Sequence, residues 1–411
     1  MLEPQSTVFL VLLVVVFGAL MWWLIAARLL FVRIIVACLA FIPAMVFGVA
    51  AVNRYYDYYQ TWSAAIADVT GQGVPAAAVP TVVSKSSTAS SLLTEHYVDV
   101  ALARQEGYLL PLRVHGRASD ITRTVYVFLP PQYFWPGSYQ RYRFPVIELI
   151  HGFPGQPEDW ITVLGVNSVL DSLVSQRLAR PAVLVIPDAN GGRGISLQCL
   201  NQVNGPQDAT FLASDLPGYI ARGLRVQQPG SGWGIAGYSE GGFCAANLGL
   251  QKARVYSYVG VLSGYFQPSD NQLTKPSRQV NPFGGNRRLA LLNTPLDLLR
   301  ALPVGHSVPR FWLGAGLRDG ADVRNAQTFG QLLQLRQPAV TVRLVPGGGH
   351  TALTWRQLLP PMLGWMTQGL AQEASFNDAR YARERSAAIA AAAGKAKRLE
   401  LAKQQRRLPR P

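Results

Sequence analysis

Two uninterrupted apolar runs, Val8 to Ile25 and Ile34 to Val52, stand near the start of the sequence. Each is long enough to cross the hydrocarbon core of a bilayer as a helix. Neither keeps the polar face of a helix that packs on a soluble core. A cleaved export signal accounts poorly for the first run, because Met1 to Thr7 carries no positive charge and a second long run follows. The pattern predicts two transmembrane helices within residues 1–53. Tyr55 to Glu95 then begins aromatic (Tyr55, Tyr56, Tyr58, Tyr59, Trp62) and turns Ala-, Pro-, Ser- and Thr-rich from Gly71 to Ser91. That reads as a juxtamembrane segment and linker over residues 54–95.

From about His96 the periodicity changes, and strand-like and helix-like stretches alternate. Strands are predicted at Leu109 to Val114, Thr124 to Leu129, Pro145 to Ile150, Ala182 to Ile186, Gly232 to Ala236, Tyr258 to Leu262, Arg310 to Gly314 and Val340 to Leu344. Helices are predicted at Ser168 to Leu178, Phe211 to Arg222, Gly242 to Ala253, Val323 to Leu335 and Trp355 to Leu370. The first strands come without helices and the later ones alternate with them. This order predicts a mostly parallel sheet, antiparallel at its beginning, with helices on both faces, over residues 96–372. In such sheets ligands bind beyond the carboxyl ends of the strands.

Charge adds an orientation. Arg28 and Arg33 lie between the two spans, whereas the N-terminal flank has only Glu3. Short basic loops stay cytoplasmic, which puts the large domain outside, although Arg54 just past the second span argues weakly the other way. The net charge of +15 is not spread evenly: Arg380 to Pro411 holds roughly ten basic residues in an Ala-rich context. On a membrane-tethered chain such a tail suits anionic lipid or wall polymer, or is simply solvated; nucleic acid is not expected as a partner. Of three cysteines, Cys38 falls in the second span. Cys199 and Cys244 remain, as a disulfide in an oxidising compartment or with Cys244 a buried free thiol.

The candidate chemistry sits at the predicted strand ends. Gly237-Tyr238-Ser239-Glu240-Gly241 is a G-x-S-x-G pattern between an apolar strand and a small-residue helix. Such a turn strains its apex residue and lifts a hydroxyl clear of the sheet as a nucleophile. A serine needs a base, an orienting acid and oxyanion donors. The base expected is His350, after a strand and the run Gly347-Gly348-Gly349; His306 lies in a Pro-flanked loop with no preceding strand. The acid expected is Asp319, in Gly316-Leu317-Arg318-Asp319-Gly320. Asp322 is the reserve, or a cap for a helix starting near Val323. Oxyanion donors are expected at Glu240, after the nucleophile, and at Phe153 in His151-Gly152-Phe153-Pro154-Gly155, since Pro154 has no N–H. His151 precedes the serine and is expected to shape that loop. No zinc-ligand spacing or phosphate-binding glycine loop is present, so neither metal nor cofactor is expected.

With these motifs in place, residues from about His96 to Leu370 resemble the Putative esterase family of the α/β-hydrolase superfamily. It holds esterase D-like enzymes, feruloyl esterases and the antigen 85 mycolyltransferases. The two-span anchor resembles membrane-bound actinobacterial members. The resemblance implies an α/β-hydrolase fold with Ser239 as nucleophile, Asp319 as acid, His350 as base, and Phe153 and Glu240 as oxyanion donors. Antigen 85 enzymes carry a glutamate as acid in a different loop, so the aspartates here favour the esterase side. The function expected is a membrane-anchored extracytoplasmic serine esterase forming an acyl-enzyme, acting on an envelope lipid ester. The alternatives are an acyltransferase on envelope glycolipids and a non-catalytic envelope-binding protein on the same scaffold. Oligomeric state is left open.

Overall fold

The structure is a computed structural model. It describes residues 3, 4, 6–56, 59, 62, 65, 66 and 92–370, apart from 94–97, 193–195, 269–273, 276, 277, 280, 281, 304, 337 and 338. Most of the linker expected over residues 54–95, and the tail expected over 373–411, therefore lie outside the described residues.

Two helices, Thr7–Ala26 and Leu30–Tyr56, are long and apolar enough to cross a membrane. They pack against each other, and Val36, Ala40 and Ala50 of the second are buried. At about 1.5 Å per residue, even the 20-residue first helix is as long as the hydrocarbon core of a bilayer is thick. Asn53 of the second clasps the main chain of Tyr59 through two hydrogen bonds, of 2.9 and 2.8 Å, and Tyr59 packs against the hydrophobic core of the fold that follows.

Among the described residues ten strands follow: β1 (Tyr108–Gly116), β2 (Ile121–Leu129), β3 (Val146–Ile150), β4 (Val183–Pro187), β5 (Gly230–Tyr238), β6 (Tyr256–Leu262), the two-residue pair β7 (Thr274–Lys275) and β8 (Arg278–Gln279), β9 (Arg310–Gly316) and β10 (Thr341–Val345). Eight form one sheet in the order β1-β2-β4-β3-β5-β6-β9-β10. Strand β2 runs antiparallel to β1 and β4, and every other pairing in this sheet is parallel, while the separate pair β7–β8 is antiparallel. This is the predicted architecture, with helices on both faces.

Period-2 side-chain alternation explains the two layers. In β3, Val146 and Ile150 join one core with the helices Leu216–Gly223, Glu240–Gln251 and Gly320–Gln334. Ile147 and Leu149 join the other, with Val166–Ser175 and the helix over residues 352–370. A strand buried on both faces reads as a continuous apolar run, as β4 does; β3 interrupts its run with Glu148, buried and accepting a hydrogen bond from Tyr256 Oη.

Boundaries shift where caps and packing decide them. The helix after β5 starts at Glu240 rather than Gly242, and the helix after β9 at Gly320 rather than Val323. The helix expected at Phe211 to Arg222 begins at Asp208 and carries a π turn at Phe211–Asp215. Asp215 there accepts hydrogen bonds from Ala118 N, Ser119 N and Ser119 Oγ, pinning the β1–β2 turn.

Candidate active site

Strand β5 ends at Tyr238 and the helix starts at Glu240, so Ser239 alone makes the turn. Its backbone sits at φ 56°, ψ −121°, a conformation that costs a non-glycine residue about 1–3 kcal/mol. The turn is held because Ser239 N donates to Leu262 O of β6 at 2.9 Å. It also needs glycine on both sides. A Cβ on Gly237 would lie 2.0 Å from Gly241 O, and one on Gly241 would lie 2.1 Å from Ile150 O. These contacts are with backbone, which cannot swing aside.

His350 follows β10 and Asp319 follows β9, and the two loops meet over Ser239. His350 Nε2 lies 2.9 Å from Ser239 Oγ. Its Nδ1 lies 2.9 Å from Asp319 Oδ2 and 2.7 Å from Asp322 Oδ2. The structure thus brings both candidate acids to one ring nitrogen. The expected capping role falls on the other aspartate: Asp319 is the N-cap of Gly320–Gln334, its Oδ1 accepting from Asp322 N at 3.3 Å. Asp322 lies in the first turn instead, and its side chain turns inward to His350.

Three titrating groups in contact shift one another. The His350 hydrogen bond holds Asp319 down at about 2, against the effect of burial. Burial pushes Asp322 up to about 7, with Asp319 reinforcing the rise and His350 opposing it. Burial alone would lower His350, but the two carboxylates outweigh it and lift the imidazole to about 9. An Nδ1–H facing ionised Asp319 leaves Nε2 as the acceptor facing Ser239 Oγ. Asp319, Asp322 and His350 also offer three ligand atoms within 4.8 Å of one another. A divalent ion there would take the Nδ1 lone pair and remove the proton that the carboxylates hold.

The loop after β3 closes the other side. Gly152 passes so near the turn that a Cβ would meet the Tyr238 ring at 2.7 Å and Ser239 Cβ at 3.2 Å. His151 is buried, its Nδ1 paired with Gly152 O at 2.8 Å and its Nε2 accepting from Ala189 N at 3.1 Å. It is committed to shaping the loop that carries Phe153. Glu240 opens its helix, where the backbone N–H has no intrahelical acceptor. The Glu240 side chain is buried and takes a hydrogen bond from Ser196 Oγ, and burial raises its carboxyl. His306 is exposed and takes no part.

Sequence reasoning missed the aromatic column beneath the site. The His350 ring meets Trp355 edge-on at 5.4 Å, Trp355 lies 4.5 Å from Tyr238, and Tyr238 meets Trp160 at 5.2 Å. Only pairing of distant segments makes it visible. A disulfide joins Cys199 to Cys244, tying the loop that carries Ser196 to the helix Glu240–Gln251. A groove of about 640 Å³ runs beside His350, lined by Arg318, Asp319, Gly347, Gly348, Thr354 and others. A second of about 390 Å³ lies past Phe153, lined by Tyr126, Glu158, Asp188 and Asn190 among others.

A mostly parallel sheet with a strained serine turn after its central strand, and a histidine and aspartates after later strands, defines an α/β-hydrolase of the serine esterase class. The chain belongs to the Putative esterase family, whose model matches residues 118–366, and is a serine carboxylic-ester hydrolase. Over 346 residues it is 27% identical to an uncharacterized protein of Corynebacterium glutamicum, covering 82% of this chain and 76% of that one. Among solved structures, a ferulic acid esterase matches with TM-score 0.55 at 21% identity, over 64% of this chain and 99% of its own. An S-formylglutathione hydrolase from Agrobacterium tumefaciens matches with TM-score 0.52 at 16% identity, over 64% and 96%. A fluorophosphonate-binding serine hydrolase of Staphylococcus aureus gives 0.53 at 16%, over 64% and 98%. At these identities the likeness to solved structures is one of fold.

Proposed function

We propose that this esterase works through Ser239, His350 and the Asp319–Asp322 pair, with the N–H groups of Phe153 and Glu240 as oxyanion donors. His350 Nε2 takes the Ser239 proton as Oγ attacks the ester carbonyl. The oxyanion that forms is held by the two backbone donors, and the imidazolium by the carboxylates. His350 then protonates the leaving alcohol, and the acyl group stays on Ser239. Water, deprotonated by the same nitrogen, attacks the acyl-enzyme and releases the acid. The observation that carries this reading is the continuous contact from Ser239 Oγ through His350 to two carboxylates.

In this proposal residues 1–53 anchor the protein in the cell membrane by two spans. Residues 54–95 link them to the catalytic domain, residues 96–372, on the extracytoplasmic side, and the basic tail follows. The disulfide supports an oxidising compartment. The tether supports a substrate within reach of the bilayer, an envelope lipid ester. The test is fluorophosphonate labelling and p-nitrophenyl acetate hydrolysis by wild type and Ser239→Ala. The variant should lose labelling and on the order of 10⁴-fold or more of its turnover. A Ser239→Ala protein that still labels and turns over would overturn the assignment.

A further inference from the structure

Ser239 and the backbone of Phe153 belong to different segments, one at the end of β5 and the other in the loop after β3. An oxyanion held between them needs their separation fixed, since a misplacement of about 1 Å costs on the order of 100-fold in rate. Tyr238, the residue directly before Ser239, meets that loop in two ways. Its ring presses on Gly152, where a Cβ would come within 2.7 Å of the ring. Its hydroxyl donates to Asp159 Oδ2 at 3.1 Å. The same oxygen accepts from Gln156 N at 3.1 Å, and Asp159 N donates back to Gln156 O at 3.1 Å. A Cβ on Gly155 would lie 2.9 Å from that oxygen. Asp159 thus braces the segment that carries Phe153, and Tyr238 holds Asp159.

The tyrosine serves as a reference point because its surroundings fix it. It is 1% exposed, its ring lies 4.5 Å from Trp355 and 5.2 Å from Trp160, and its strand is paired with β3 on one side and β6 on the other. A ring packed in this way keeps one rotamer, so its hydroxyl keeps one position. A buried tyrosine needs a partner for its hydroxyl, and many acceptors would serve stability alone. Tyr256 has such a pair, donating to Glu148 Oε2 at 2.8 Å from the first residue of β6, at the opposite end of that strand from the catalytic loops. The acceptor chosen by Tyr238 is instead the carboxyl that clamps the Phe153 loop.

We propose that Tyr238 is a positioning residue for the reaction. Through Asp159 it sets the Phe153 N–H at the distance from Ser239 that the oxyanion requires. It touches no substrate atom and moves no proton. Its effect falls on the tetrahedral intermediate rather than on bound ester, because the carbonyl oxygen meets the backbone donors fully only as it becomes an oxyanion. This rests on the reading of Ser239 as nucleophile and of the Phe153 N–H as oxyanion donor.

The full-length protein tests it through p-nitrophenyl acetate turnover and the binding of phenylboronic acid. In that adduct Ser239 Oγ bonds to boron, its proton passes to His350 Nε2, and boron becomes a tetrahedral anion. Tyr238→Phe keeps the ring and removes the hydroxyl. It should lower kcat about tenfold, part of what a whole oxyanion donor supplies, weaken the boronate by a similar factor and leave KM within about twofold. Asp159→Asn, which keeps an oxygen acceptor, should retain most of the rate, and Asp159→Ala should lose at least as much as Tyr238→Phe. Adding Tyr238→Phe to Asp159→Ala should cost nothing further, because both remove the same link. Tyr256→Phe should lower the melting temperature and leave kcat and boronate affinity unchanged. A Tyr238→Phe enzyme with wild-type kcat overturns the proposal whatever its melting temperature, and so does an undiminished loss on top of Asp159→Ala. Wild type that takes no fluorophosphonate at Ser239 would instead sink the catalytic reading, so the two failures are told apart.

Discussion

Two carboxylates on one imidazole nitrogen make a measurable claim about redundancy. Lifting His350 from 6.5 to about 9 corresponds to about 3 kcal/mol in favour of the charged ring. The side chain is 34% open to solvent, so screening leaves about half of that. The catalytic base must be neutral, and a raised imidazole pushes the acid limb of the rate profile to higher pH. Wild-type kcat/KM on p-nitrophenyl acetate should therefore climb with pH through an inflection well above 6.5. The same shift stabilises the fold below about pH 6.5, and that contribution is lost as pH rises through about 9.

Asp319→Asn removes the carboxylate that is held ionised at about 2. It also removes a like charge that helps to hold Asp322 up at about 7. Asp322, 2.7 Å from Nδ1, then ionises at lower pH and takes over the same proton. The single change should cost about tenfold in kcat/KM and move the inflection down by about one pH unit. The double change with Asp322→Asn should cost about 10³–10⁴-fold, the price of a ring free to take the wrong tautomer. Profiles of wild type, both singles and the double between pH 5 and 10 decide the matter. If Asp319→Asn alone costs as much as the double, Asp322 is not a second acceptor and the reasoning fails.

Gly241→Ala would force a methyl to within 2.1 Å of Ile150 O and 2.6 Å of His151 O. Thermal melts should show about 2–4 kcal/mol of lost stability, with weaker fluorophosphonate labelling; an unchanged melt would contradict the close approach. The disulfide bridges a sequence separation of 45, and loop-closure entropy puts its contribution at about 4 kcal/mol. Cys199→Ser with Cys244→Ser should melt well below the oxidised wild type, whereas identical midpoints would show that the loop holds itself in place.

Much of this site was legible because α/β sheets put chemistry at strand ends and glycine marks the turns. The serine turn, the Gly347-Gly348-Gly349 approach to His350 and the Asp319 loop each carry a local signature, and sheet order brings them together. What escaped was set by three-dimensional register. Asp322 reads from sequence as the reserve acid or as the cap of a helix starting near Val323; the helix starts three residues earlier, so Asp319 caps it and both aspartates reach the histidine. The column of His350, Trp355, Tyr238 and Trp160 joins segments far apart in sequence, so no window contains it. Arg54, in the lining of the groove beside His350, read only as a weak topological signal, because nothing local to the second span says what its end will touch.

The clasp between Asn53 and Tyr59 bears on how such an enzyme would meet its substrate. A domain on a loose string samples a volume above the membrane and reaches the surface only part of the time. A domain fastened at the end of its anchor holds one face toward the plane. With the helices in a bilayer, the search becomes two-dimensional, and the quantity that governs encounter is the mole fraction of ester in the surface rather than its amount per litre.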